Sequence, residues 1–189
     1  MDKGQFNKTM GVNFGGTDEW YTPAAAVLPL LKYIKPNSRI LCPFDTEESE
    51  YVKVLSKNHT VFHSHIFEGK DFFQLSKPDV DYVISNPPYS KRTEILKQLY
   101  KWGIPFAMMF NSNGIFDSRK RFNYASNLGG ELLFLYPRVD YSSPESEPTA
   151  PPYMSCYWCY HLLPEKLMFA SIKENGQIDL FDLIGGDEE

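Results

Sequence analysis

Asp81-Tyr82-Val83-Ile84-Ser85-Asn86-Pro87-Pro88-Tyr89 sets the frame in which the other residues of this 189-residue chain are read. A short apolar run, Tyr82 to Ile84, lies between an aspartate and a double proline. That is the pattern of a buried strand of a parallel sheet, halted at its carboxyl end. Two consecutive prolines fix two φ angles, donate no N–H and push Asn86 into an extended conformation. The strand tip is therefore stiff. It presents the Asn86 amide and the Tyr89 ring where ligands gather in open α/β sheets.

Working outward, the chain is long enough for one well-filled core and needs no second domain. Hydrophobic residues at 42% and charged residues at 23% are ordinary for a soluble globular protein. Aromatics reach 15%. Most of these rings belong in a core, and some are available to stack on a base or a cofactor. A net charge of −5 argues against polyanion binding over the whole surface. A local basic stripe is still sufficient to grip phosphates. Three cysteines with no signal peptide ahead of them point to a reducing cytoplasm. Cys156 and Cys159 form half of a zinc-ligand pattern, but the string Tyr157-Trp158-Cys159-Tyr160 reads as core. No apolar run approaches the roughly 20 residues that span a bilayer.

Taken in order, residues 1–17 are polar and glycine-rich, a flexible arm before a single domain over 18–174 and an acidic tail over 175–189. Thr22 reads as an N-cap with Pro23 at the first helical position, and Pro29 predicts a kink or break before Tyr33. Arg39 to Pro43 is a strand. After it, Thr46 reads as an N-cap with acids in the first turn of a helix. His59 to His63 is a third strand, with Ser64 and His65 at its tip, where an exposed histidine is the plain reading. Ser90 and Thr93 open a helix whose Ile95, Leu96, Leu99 and Trp102 share one face, and Gly103 ends it. Ile104 to Phe110 is a strand buried on both faces, with Asn111 to Gly114 on the same rim as Asn86. Ser118 to Tyr124 is the densest basic cluster. It reads equally as a solvated helix face or a phosphate grip. Gly130 to Tyr136 is a strand, 144–152 a proline-rich loop, and Met154 to Leu163 a strand antiparallel to Leu132–Tyr136. Lys166 to Ile172 is the last strand.

Four of these stretches resemble the motifs of AdoMet-dependent amino-methyltransferases, in the family's order over residues 18–136. Asn86-Pro87-Pro88-Tyr89 resembles motif IV. Asp18-Glu19-Trp20-Tyr21-Thr22-Pro23 looks like motif X of small phage-type adenine methyltransferases. Pro43-Phe44 matches motif I, although Cys42 stands where the family has an acid and the glycines of its turn are missing. Gly69-Lys70-Asp71-Phe72 resembles motif III. The resemblance implies an α/β, Rossmann-like class I methyltransferase fold with a mostly parallel, doubly wound sheet and a C-terminal antiparallel hairpin.

It also implies roles. AdoMet would be held by Trp20, Tyr21, Thr22 and Pro23, by Pro43, Phe44 and Asp45, by Asp71 and Phe72 at its adenine, and by Asn86. The catalytic set would be Asn86, Pro87, Pro88 and Tyr89. The Asn86 side chain and the Pro87 carbonyl would accept the hydrogens of the target amine, and Tyr89 would stack on a flipped base. Duplex DNA would be contacted by Tyr89, Lys91, Arg92, Arg119, Lys120 and Arg121, with no metal and no membrane involved. Three functions stay open on this reading. They are N6 methylation of adenine in DNA, methylation of a protein glutamine or an RNA base, and a non-catalytic binding relative favoured by the glycine-free motif I.

Overall fold

A computed structural model of the chain describes residues 21–113, 115–143, 146–149 and 153–173. The N-terminal arm, with Trp20, and the acidic tail lie outside the described residues. Nine strands are present among the described residues: β1 (Arg39–Cys42), β2 (Thr60–His63), β3 (Tyr82–Ser85), β4 (Phe106–Asn111), β5 (Glu131–Tyr136), β6 (Tyr141–Ser143), β7 (Ser146–Thr149), β8 (Ser155–Tyr160) and β9 (Leu167–Ser171). Four helices accompany them: α1 (Ala24–Val27), α2 (Glu50–Leu55), α3 (Arg92–Trp102) and α4 (Arg119–Leu128).

The main sheet has seven strands in the order β2-β1-β3-β4-β8-β5-β9. The pairs β1–β2, β1–β3, β3–β4 and β5–β9 are parallel. The last described strand therefore runs beside β5 as a parallel edge. β8 pairs antiparallel with β5, as its sequence predicts, and it also pairs antiparallel with β4 over Phe106↔Tyr160 to Asn111↔Ser155. The reversed strand is thus inserted inside the sheet.

Apolar residues on both faces explain why β4 and β8 sit at its centre. Phe106, Met108 and Phe110 join one core cluster, Ala107 and Met109 the other. The first cluster lies under α3, whose Ile95, Leu96, Leu99 and Trp102 are all buried. The second lies under α1, the 3₁₀ helix Leu28–Tyr33 and α2. Burying side chains of this size contributes about 1.5–3 kcal/mol each. Cys156 and Cys159, three apart on a strand, fall into opposite clusters. That geometry makes them core residues.

Several local expectations change. Pro23, not Thr22, occupies the N-cap position of α1, and the helix converts to 3₁₀ at Leu28 with Pro29 in its first turn. The cap of α2 is Ser49, whose hydroxyl accepts the Thr46 N–H at 3.1 Å, so the helix starts later than Thr46 would dictate. The proline-rich stretch is not simply a loop. β6 and β7 form a two-stranded antiparallel ribbon, and Pro148 is tolerated because each of its strands is an edge. Gly103 closes α3 at φ +63°, as its position predicts.

Candidate functional site

β1 leads through α2 to β2 on one side, and β3 leads through α3 to β4 on the other. The carboxyl ends of β1 and β3 therefore diverge at a topological switch point, where ligands bind in open α/β sheets. A cavity of about 310 Å³ lies there. It is lined by Tyr21 and Thr22, by Phe44, Asp45 and Thr46 after β1, and by Asn86 after β3. Residues from three predicted motifs thus meet around one space.

Asn86 has an unusual bonding state. Its Nδ2 donates to Thr22 Oγ1 at 3.1 Å. Its Oδ1 is buried and has no hydrogen-bond partner among the described residues. A buried, unbonded amide oxygen costs free energy, about 1–3 kcal/mol, that a packing role alone would not require. Thr22 fixes the amide so that this oxygen is the acceptor left over. The hydroxyl read as a helix cap is instead an orienting group.

Asp45 is 6% exposed. It accepts a hydrogen bond from Ser85 Oγ, and Ser49 bonds its carboxyl as well. Burial pushes its pKa up to about 7, and the two serines only partly offset this. Glu48 and Glu50 also line the cavity, while among the described residues no lysine or arginine does. Both glutamates lie near Lys53 Nζ, at 3.3 and 3.6 Å. Asp45 is left as the buried carboxyl of the wall, and the lining favours a cationic ligand over an anionic one.

His65 contradicts the plain reading of an exposed strand-end histidine. It is 9% exposed, lines the cavity and accepts the Phe67 N–H through Nδ1 at 3.2 Å. Its ring packs on Phe67 at 4.6 Å, and Phe67 itself is 76% exposed at the cavity lining. Tyr51 and Ser142 complete the lining without any sequence signal. Tyr51 arrives there because its hydroxyl meets Tyr157 at 2.9 Å across the sheet.

Other predicted residues lie beside this lining rather than in it. Pro43 is buried and its carbonyl accepts from Ser64 Oγ at 3.4 Å. Asp71 caps a 3₁₀ turn by accepting the Phe73 N–H at 2.9 Å. Phe72 is buried between Phe44, at 4.8 Å, and Trp102, at 5.1 Å, and so backs a cavity wall. Pro87 is buried and Pro88 half-buried, and the Pro88 carbonyl accepts the Lys91 N–H at 3.1 Å. Burial, with the neighbouring tyrosines, raises the Tyr89 phenol well above its usual range, and its ring lies 6.1 Å from Phe110.

The basic cluster divides. Arg121 is not a phosphate grip: it is 8% exposed, with its guanidinium bonded to Ile115 O at 3.1 Å, to Thr93 Oγ1 at 2.7 Å and to Asp117. It pins the segment before α4 onto α3. Arg119, Lys120 and Lys91 are exposed. Arg92 is half-buried and reaches Tyr89 O at 3.1 Å and Asn111 Oδ1 at 3.1 Å. It braces the double-proline turn against the end of β4.

No protein-family model matches the sequence, and no curated protein matches it. Solved structures do. One is a modification subunit of an enzyme assigned to the type I restriction class, from Vibrio vulnificus YJ016, with a TM-score of 0.50 and 12% identity. The match covers 95% of this chain and 55% of that one, so the chain spans about half the length of this relative. Another is precorrin-6y C5,15-methyltransferase from Geobacter metallireducens GS-15, with a TM-score of 0.40 and 13% identity over 71% of this chain and 87% of that one. The chain has a Rossmann-like, class I methyltransferase fold.

Proposed function

We propose that this chain is an AdoMet-dependent methyltransferase that modifies the exocyclic N6 of an adenine in DNA. The observation that carries the reading is the buried, unbonded Oδ1 of Asn86, fixed by Thr22 on the wall of a cation-favouring cavity and followed by Pro87-Pro88-Tyr89. An amine N–H of the target would satisfy that oxygen. The residues present fit the cofactor in charge: Asp45 suits an ammonium or a sulfonium, and Phe44, backed by Phe72, supplies an aromatic wall. When bound, the cofactor supplies an electrophilic methyl group.

The chain's own residues supply placement and electrostatics. An adenine amine is a weak nucleophile because its lone pair is delocalised into the ring. Acceptance of one hydrogen by Asn86 Oδ1 and of the other by the Pro87 carbonyl draws the nitrogen towards tetrahedral geometry. Stiffness matters here, since two fixed φ angles hold both acceptors in register without further ordering. Lys91, which follows the double-proline turn, and Arg119 and Lys120 at the start of α4 are exposed and offer phosphate contacts. The restriction-system role of the structural neighbour accords with a DNA acceptor.

The test is transfer of labelled methyl from AdoMet to duplex DNA that samples all short sequence contexts. We expect transfer by the wild type and a loss of at least about 100-fold in Asn86→Ala. Calorimetry should show the wild type binding the cofactor. Transfer to RNA or to protein, but never to DNA, would replace the acceptor. Failure of AdoMet to bind at millimolar concentration would overturn the enzyme reading.

A further inference from the structure

The sequence resemblance puts Arg92 among the residues that would contact DNA, yet its guanidinium is occupied within the chain. Nε donates to the Tyr89 carbonyl at 3.1 Å. Nη1 donates to Asn111 Oδ1 at 3.1 Å and to the Asn113 carbonyl at 3.4 Å. One half-buried side chain thus ties the double-proline turn to the residue that ends β4. The backbone there is fixed as well. Asn111 pairs with Ser155 of β8, and the Ser112 N–H reaches Met154 O at 2.9 Å.

The consequence lies in the Asn111 amide. A carboxamide has an acceptor end and a donor end, and Arg92, which only donates, takes the acceptor end. Nδ2, with its two N–H donors, is the end left over. It makes no hydrogen bond among the described residues, and it is not among their buried, unpartnered atoms, so it stays accessible. Pairing of Ser85 with Met108 sets Asn86 level with Met109. Asn111 therefore stands two residues, roughly 7 Å, further out on the neighbouring strand. Two oriented amides share this rim: Thr22 leaves Asn86 as an acceptor, and Arg92 leaves Asn111 as a donor.

We propose that Asn111 is a specificity-determining residue whose Nδ2 donates to a ring nitrogen beside the target amine, with Arg92 as the positioning residue that aims it. This rests on the reading of Asn86 to Tyr89 as the acceptor site. In adenine the amine lies between two unprotonated ring nitrogens, N1 and N7, so both amides of the rim meet complementary atoms of one base. Guanine and thymine carry an oxygen in place of that amine, with a ring N–H beside it. Asn86 Oδ1 would then face an acceptor and Asn111 Nδ2 a donor. Such like-to-like pairing is how a polar site turns away the wrong partner.

The experiment has two arms, both on the full chain. Asn111→Asp keeps the shape of the side chain and the acceptor that Arg92 holds, and replaces the two donors by an oxygen. If it does not fold, Asn111→Ala takes its place in both arms. The first arm measures methyl transfer to duplexes that carry adenine, 1-deazaadenine or 7-deazaadenine at the target. On adenine, the variant is expected to lose about ten- to hundredfold in kcat/KM. The wild type should lose a similar factor on one of the two analogues, and on that analogue the variant should fall no further. Losses that multiply on both analogues overturn the proposal, and so does an unimpaired variant. The second arm needs no turnover. The side-chain amide resonance of Asn111, identified by its loss in the variant, should shift with a single-stranded oligonucleotide of adenines and stay in place with one of thymines. A resonance unmoved by millimolar adenine oligonucleotide overturns the proposal. A wild type with no methyl transfer would sink the enzyme reading, and the second arm would still decide whether Asn111 reads adenine.

Discussion

Asp45→Asn replaces the buried carboxyl of the cavity wall by a neutral group of the same shape. Burial holds the pKa of Asp45 at about 7, against an ordinary value of 3.8. Between those values the folded chain keeps a proton that the unfolded chain has released. The folded state therefore binds more protons, and stability falls as pH rises through that window. The contribution is absent below the unfolded value and complete above the folded one. At about 1.4 kcal/mol per tenfold, the full penalty is about 4 kcal/mol, and relaxation around the ionised carboxylate reduces it towards 2. Urea unfolding of the wild type and of Asp45→Asn, at pH values of about 5 and about 8, measures the difference directly. Part of that penalty is already present at about pH 5, so we expect the wild type to lose about 1–3 kcal/mol more than the variant on going from the lower to the higher pH. Parallel pH profiles for the two proteins would refute the assignment of a buried, proton-holding Asp45. A cationic ligand should reverse the penalty, since it favours the carboxylate. Cofactor binding is then expected to release protons at about pH 6 and to tighten as pH rises through 7, which calorimetry in buffers of different ionisation enthalpy reads out.

Two further outcomes follow from the packing. Glu131 is 7% exposed and accepts the backbone N–H groups of His161, Leu162 and Leu163 at 3.1, 3.1 and 2.8 Å. Glu131→Ala should cost about 2–4 kcal/mol in urea unfolding because it leaves these donors unpaired. The halves of the basic cluster should separate in the same way. Arg121→Ala should destabilise the fold by about 2–3 kcal/mol. Arg119→Ala with Lys120→Ala should leave the melting temperature unchanged and lower the salt dependence of DNA binding by about one to two counterions.

What the sequence made legible was short-range. Apolar spacing in Arg92–Trp102 decides a helix face, the all-apolar Phe106–Phe110 decides a central strand, and Asn86-Pro87-Pro88 decides a rigid tip. Insertion of β8 between β4 and β5 was not legible, because period-2 burial says that a strand is central but not which neighbours it takes. The ribbon was hidden by its prolines. Arg121 was misread because a run of like charges looks uniform in sequence. A signal did exist: Tyr124 and Ala125, three and four residues on, share its helix face and pack against the core. For His65 and Ser142 no local pattern distinguishes a cavity residue from an exposed one. Their placement comes from contacts between distant parts of the chain.

The glycine-free turn after β1 is the point at which motif and structure part. Glycines at such a turn let backbone approach a ligand closely. Here side chains take that space: Asp45 and Thr46 line the cavity, and the Ser49 hydroxyl ties the turn by accepting the Thr46 N–H. One consequence is mechanical. Asp45 is bonded to Ser85, and Ser85 is covalently joined to Asn86, which is itself held by Thr22. A buried carboxyl in the cavity wall and an oriented amide beside it are thus adjacent links in one chain of bonds. Ionisation of Asp45 strengthens its hold on Ser85, because a charged acceptor bonds a hydroxyl more strongly than a neutral one. The tip that carries Asn86 should accordingly be most rigid when Asp45 is ionised, the state that a bound cation favours.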